Sequence, residues 1–138
     1  MEAQDIPAEQ PSSADGGGPA KPRLLLIEDD WRTHSALRKI FTKLGWEVHS
    51  AMTVSGGLAL LQLRPDAIVL DMMLPDGDGI TLLRKVRSED HPVTIAVTTG
   101  IEDSTRLDEI RSLVPDGLFR KPLELNELLR VLDAARHT

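Results

Sequence analysis

The sequence predicts an α/β fold: a doubly wound, five-stranded parallel sheet of order 2-1-3-4-5, covered by five helices. Two observations carry this. Five short apolar runs alternate with five segments whose apolar residues recur at helical spacing. Two of the runs, Leu24–Ile27 and Ile68–Leu70, are apolar without a break. Strands covered on both faces of a parallel sheet need that pattern.

Residues 1–21 stand apart. The stretch Pro11-Ser12-Ser13-Ala14-Asp15-Gly16-Gly17-Gly18-Pro19 is almost free of large apolar side chains. It can bury too little surface to offset its ordering entropy, so 1–21 is expected to be a disordered tail. Residues 22–138 are expected to form the folded domain.

Arg23–Ile27 reads as the first strand. Leu37, Ile40, Phe41 and Leu44 share one helical face, so a helix is expected from about Trp31 to Leu44, stopping at Gly45. Trp46–Ala51 reads as the second strand, with Trp46 capping the core. Leu58, Leu61 and Leu63 suggest a short helix that ends before Pro65. Ala67–Asp71 is the third strand, and Leu82, Leu83 and Val86 mark the third helix. Val93–Thr99 is the fourth strand. Leu107, Ile110 and Val114 mark the fourth helix, closed by Pro115-Asp116-Gly117. Leu118–Arg120 is a short fifth strand, and Leu125, Leu128, Leu129 and Leu132 mark the last helix.

The bulk properties narrow the function. A length of 138 residues suits one domain with a proper core. The net charge of −6 and the scattered Lys and Arg argue against direct nucleic-acid binding. With no cysteine there is neither a disulfide framework nor a thiolate metal site. No apolar run approaches the ~20 residues that span a bilayer, and the start lacks the order of a signal peptide. A cytoplasmic protein without a membrane partner is expected.

The chemistry gathers at strand ends. Glu28 and Asp29 end the first strand, and Asp71 ends the third. In the expected order these strands are neighbours, so the three carboxylates converge. Clustered carboxylates repel and need a proton, a cation or a positive side chain. Hard oxygen ligands suit Mg2+, with Mn2+ as an alternative of the same class. Asp30 and Asp78 read instead as helix caps. The fourth strand ends in Thr98-Thr99-Gly100 and the fifth in Arg120-Lys121-Pro122. A Thr hydroxyl there can bond a phosphoryl oxygen, and Lys121 supplies a compact positive charge. Trp31 follows the acids and reads as a rim residue or as packing. His34, His49, His91 and His137 lack metal-ligand grouping, and His34 reads as a solvated helix residue.

Taken together, Leu25-Leu26-Ile27-Glu28-Asp29-Asp30, Pro65 to Gly79 with Asp71 inside it, Thr99-Gly100 and Lys121-Pro122 resemble the receiver domain of two-component response regulators, a flavodoxin-like fold. The resemblance covers about Arg23 to Arg136. It implies that Asp71 is the phosphoacceptor, taking a phosphoryl group from a histidine kinase or phosphotransfer protein. It implies that Glu28, Asp29, Asp71 and the backbone carbonyl of Met73 hold Mg2+. It implies that Lys121 pairs with the phosphoryl group, that Lys121-Pro122 is cis, and that a Thr hydroxyl acts as the switch. Thr99 fits the Thr-Gly pairing and the distance to Lys121, while Thr98 is one residue early. The family often places an aromatic residue three before the Lys. Here Leu118 stands there, and Phe119 is expected in the core, so this chain lacks the aromatic residue at that position.

The expectation is a stand-alone, Mg2+-dependent phosphoacceptor switch rather than an enzyme, with at most slow autophosphatase activity. Its output is expected through a protein contact on the face of the fourth helix, fifth strand and fifth helix. Two rivals are a phosphorylation-independent binding module and an Asp-nucleophile phosphatase. The second usually needs an acid two residues after the nucleophile, where this chain has Met73.

Overall fold

The computed structural model describes residues 20–89 and 92–136. Nearly all of the expected tail, together with His91 and His137, lies outside the described residues. The first βα pairs are β1 (Arg23–Ile27), α1 (Trp31–Lys43), β2 (Glu47–Ala51) and α2 (Val54–Leu60), the last running on into a 3-10 turn at Leu61–Leu63. There follow β3 (Ala67–Asp71), α3 (Ile80–Ser88), β4 (Thr94–Thr99), α4 (Ser104–Ser112), β5 (Gly117–Arg120) and α5 (Leu125–Arg136). The strands pair in parallel in the order β2-β1-β3-β4-β5. This is the expected 2-1-3-4-5 arrangement.

Strand alternation divides the core between two layers. Leu25, Ile27, Ile68, Leu70, Ile95 and Val97 meet Leu82, Leu83, Leu107 and Ile110 on the face covered by α3 and α4. Leu24, Leu26, Ala67, Val69 and Ala96 meet Leu37, Phe41, Leu128 and Leu132 on the face covered by α1 and α5. The interior strand residues are sealed from solvent. Each such leucine or isoleucine stabilises the fold by roughly 1.5–3 kcal/mol relative to exposure. That burial holds the strands in register, and the register sets where their ends fall.

The caps confirm the helix starts. Asp30 accepts from the Thr33 amide at 3.2 Å and from the Thr33 hydroxyl at 2.6 Å. Gly45, at φ 99°, takes the left-handed conformation that ends α1. Trp46 is buried as expected but precedes the strand. Its amide still bonds the Phe41 carbonyl of α1 at 3.1 Å, so β2 starts at Glu47. A small hairpin pairing Met73–Leu74 with Gly77–Asp78 lies between β3 and α3 and was not expected from the sequence. Two residues per strand are too few for an alternation signal.

Candidate functional site

Register builds the site. Ile27 pairs with Leu70, so Glu28 and Asp71, each one residue further on, leave the sheet at the same level. The ligand oxygens of Glu28, Asp29 and Asp71 all lie within 4.8 Å of one another. Glu28 and Asp71 are buried, at 3% exposure each, while Asp29 is open to solvent. Lys121 reaches across from beyond β5. Its Nζ lies 3.1 Å from Asp71 Oδ2 and 3.7 Å from Glu28 Oε1. The Lys121 amide bonds the Thr99 carbonyl at 2.9 Å, and Lys121-Pro122 is cis.

Backbone donors occupy other lone pairs. The Met73 amide donates to Asp71 Oδ1 at 3.1 Å, and the Asp30 amide donates to Glu28 Oε2 at 3.0 Å. The Met73 turn is held tightly. The Gly79 amide bonds the Met72 carbonyl at 2.8 Å. A Cβ at Gly79 would stand 2.6 Å from the Asp71 carbonyl oxygen, so only glycine lets the hairpin close against β3.

Burial pushes the Glu28 carboxyl up to about 7, with the Asp71 charge adding to it and the Asp30 amide and Lys121 opposing it. Burial works against the Lys121 charge, but the hydrogen bond and charge of Asp71, with Glu28 and Asp29, outweigh it and raise its pKa. The pocket therefore carries more negative charge than one ammonium neutralises. A compact divalent cation fits that surplus and this all-oxygen donor set.

Two buried threonines end β4. Thr99 is fully buried, and its Oγ1 accepts from the Ile101 amide at 2.9 Å. Thr98 is 3% exposed, and among the described residues its Oγ1 has no hydrogen-bond partner. Phe119 packs into the α1–α5 layer as expected, and Leu118 into the opposite one.

Asp30 caps α1, and Asp78 accepts from the Ile80 amide at 3.0 Å while pairing with Arg106. His34 corrects its reading. It is half-buried, and its Nδ1 lies 2.9 Å from the Glu28 carbonyl oxygen, so the imidazole braces the turn that carries the acids. The sequence also gave no notice of Asp76. Its carboxylate accepts from the Val54 and Ser55 amides at 2.7 and 3.1 Å, tying the hairpin to the start of α2. Thr53 is the local cap there, its Oγ1 accepting from the Gly56 amide at 3.0 Å. A cap supplied from 22 residues away leaves no local pattern.

Among the described residues, no helix is long and apolar enough to cross a membrane. The family model for the response regulator receiver domain matches residues 24–133. The transcriptional regulatory protein AfsQ1 of Streptomyces coelicolor is 40% identical over 114 residues, covering 82% of this chain and 48% of that protein. Sporulation initiation phosphotransferase F of Bacillus subtilis is 26% identical over 110 residues, covering 77% of this chain and 86% of that one. The chain thus spans about half the length of AfsQ1 but most of the phosphotransferase. Among solved structures, the non-phosphorylated HemR receiver domain of Leptospira biflexa superposes with a TM-score of 0.73 at 29% identity, covering 83% of this chain and 94% of that one. A CheY-like receiver protein of Methanospirillum hungatei shares the fold at a TM-score of 0.78 and 23% identity, covering 86% and 96%. With the acidic pocket, the lysine and the strand order already in place, the chain belongs to the response regulator receiver domain family of two-component signalling.

Proposed function

We propose that Asp71 accepts a phosphoryl group from a histidine kinase or phosphotransfer protein and that the aspartyl phosphate switches a protein-interaction surface. The observation that carries this is the direct pairing of buried Asp71 with Lys121 beside two further carboxylates. Asp71 Oδ2 is the proposed nucleophile. It attacks the phosphorus, the phosphorus–nitrogen bond of the donor breaks, and the electron pair leaves with the imidazole. Lys121, now beside Asp71 Oδ2, follows the new negative charge onto the phosphoryl oxygens. The Met73 amide holds the other carboxylate oxygen and so fixes the line of attack.

Glu28, Asp29, Asp71 and the Met73 carbonyl are the proposed ligands of Mg2+, with Mn2+ a chemically similar substitute. The ion supplies charge neutralisation and alignment for the transferred group. Thr99 is the proposed switch hydroxyl. The face formed by α4, β5 and α5 is the proposed output surface, and the cytoplasm the proposed location. Residues 22–138 are proposed as the domain boundary, a little wider than the family match. Met73 at the second position after Asp71 supplies no general acid, which favours a held phosphate over rapid turnover.

The test is intact-mass measurement after incubation with Mg2+ and acetyl phosphate. One added phosphate on the native chain, absent from Asp71→Ala and from samples with chelator, is expected. Equal labelling of Asp71→Ala, or no labelling at all, would overturn the assignment.

A further inference from the structure

We propose that Thr98 is a second hydroxyl of the phosphorylated site, idle in the free protein and used once Asp71 carries its phosphoryl group. Asp71 pairs with Thr98 across β3 and β4, and Thr98 pairs with Phe119 across β4 and β5. Partners in a parallel ladder point to the same face of the sheet. On that face lie Val69, two before Asp71, and Ala96, two before Thr98, both in the α1–α5 layer with Phe119. The Asp71–Lys121 pair runs from the end of β3 to just beyond β5, and so crosses β4. Thr98 is the β4 residue at the level of Asp71 on that side.

The orphaned hydroxyl is the second observation. Among the described residues, Thr98 Oγ1 is the buried side-chain oxygen without a partner, although the residue is only 3% exposed. A buried hydroxyl left unbonded is costly, and valine would fill the same space without that cost. A hydroxyl kept there gains meaning if a second state of the site bonds it. Thr99 is different. It alternates to the layer of Ile95 and Val97, and its oxygen already accepts from the Ile101 amide.

This inference rests on Asp71 being the phosphoacceptor. In the free site, Asp71 Oδ1 takes the Met73 amide and Oδ2 takes Lys121. In the acyl phosphate one carboxyl oxygen bridges to phosphorus and Lys121 follows the phosphoryl charge. The acyl phosphate keeps Asp71 Oδ1 as a carbonyl acceptor and adds phosphoryl oxygens, and the Thr98 hydroxyl on the adjacent strand is a neutral donor for either. Its hydrogen bond exists in one state and not in the other, and only such differential interactions shift an equilibrium. Thr98 is thus a positioning residue that favours the phosphorylated form.

The experiment titrates the full chain with beryllofluoride and Mg2+, read by 19F NMR, alongside thermal melting without either. Wild type is expected to bind, and Asp71→Asn to show no bound signal. Thr98→Val should bind about five- to tenfold more weakly, the value of one ordinary hydrogen bond. Thr98→Ser should recover most of the loss, and the free Thr98→Val protein should melt no lower than wild type. Three results would overturn the inference alone: Thr98→Val binding as wild type does, Thr98→Ser binding as weakly as Thr98→Val, or free Thr98→Val melting lower. Failure of wild type to bind would instead remove the phosphoacceptor reading, and this inference with it.

Discussion

At the N-terminal edge of the sheet, Asp66 and Asp116 are exposed, and each closes a gap in the backbone. Asp66 accepts from the Arg23 amide at 2.8 Å. Asp116 accepts from the Ile95 amide at 2.8 Å and pairs with Arg87 at 3.3 Å. At the C-terminal edge, Glu28 and Asp71 are buried, crowd a third acid and share one lysine. The described residues classed as buried and polar are Glu28, Asp71, Thr98 and Thr99, and all four lie at this second edge. The residue type is the same at both edges, and the environment differs. Exposed carboxylates with dedicated backbone donors are satisfied and inert. Buried carboxylates with too little positive charge are left with a surplus that a proton or a cation can offset.

The largest test of that contrast exchanges one acid at each edge. Asp71→Asn should lose all phosphate uptake from acetyl phosphate by intact mass, while Asp116→Asn keeps wild-type uptake. If Asp116→Asn also fails to label, the division between edges does not hold.

Next comes the shared lysine. Lys121→Met should slow phosphorylation about 10²-fold, the order seen when one preorganised charge donor is removed. Mg2+ should bind it more tightly, because the competing ammonium is gone. Stopped-flow labelling and a Mg2+ titration read the two effects separately, and weaker Mg2+ binding would contradict the charge argument.

A third prediction follows from Glu28, whose carboxyl is raised from 4.5 to about 7 by burial. Between these values the folded chain keeps a proton that the unfolded chain has released. Stability from this group therefore falls as pH rises across that window. Cation binding needs the ionised form, so Mg2+ affinity should rise over the same window, approaching tenfold per pH unit below about 7. Glu28→Gln should flatten both profiles in denaturant melts and Mg2+ titrations.

The opposite edge should show only structural losses. Asp116→Ala removes a backbone partner and an exposed ion pair, and should cost about 1 kcal/mol, or ~4 °C in melting temperature. Smallest is Asp76→Ala, which uncaps α2. The Val54 and Ser55 amides hold the Asp76 carboxyl below its usual range. Its stabilising effect is present above the ordinary carboxylate range and is lost as pH falls through the lowered value. The variant should melt slightly lower than wild type at neutral pH and match it in strong acid.

Much of this was legible in the chain. Leu24–Ile27 and Ile68–Leu70 read as buried parallel strands because a sheet covered on both faces leaves no polar position in the middle of a strand. The helices were found from their apolar faces, and the start of the first was placed at Trp31, behind a real cap at Asp30. The acids, threonines and lysine drew attention because they stand where apolar runs stop. Boundaries slipped by a residue at Trp46, Val93 and Gly117, where turn and strand share the same residue types. The hairpin after β3, the remote cap by Asp76 and the brace from His34 went unread, since each depends on a partner brought close only by folding.

Sequence by itself determined the alternation of strand and helix and the set of groups at the C-terminal ends of the strands. These follow from local periodicity and from the burial each element requires. Tertiary structure alone decided that Glu28 leaves the sheet level with Asp71, that Lys121 spans β4 to reach both, and that Thr98 rather than Thr99 is the register partner of Asp71. Those outcomes depend on register and strand neighbours, and a one-residue slip would have turned every one of these side chains to the other face.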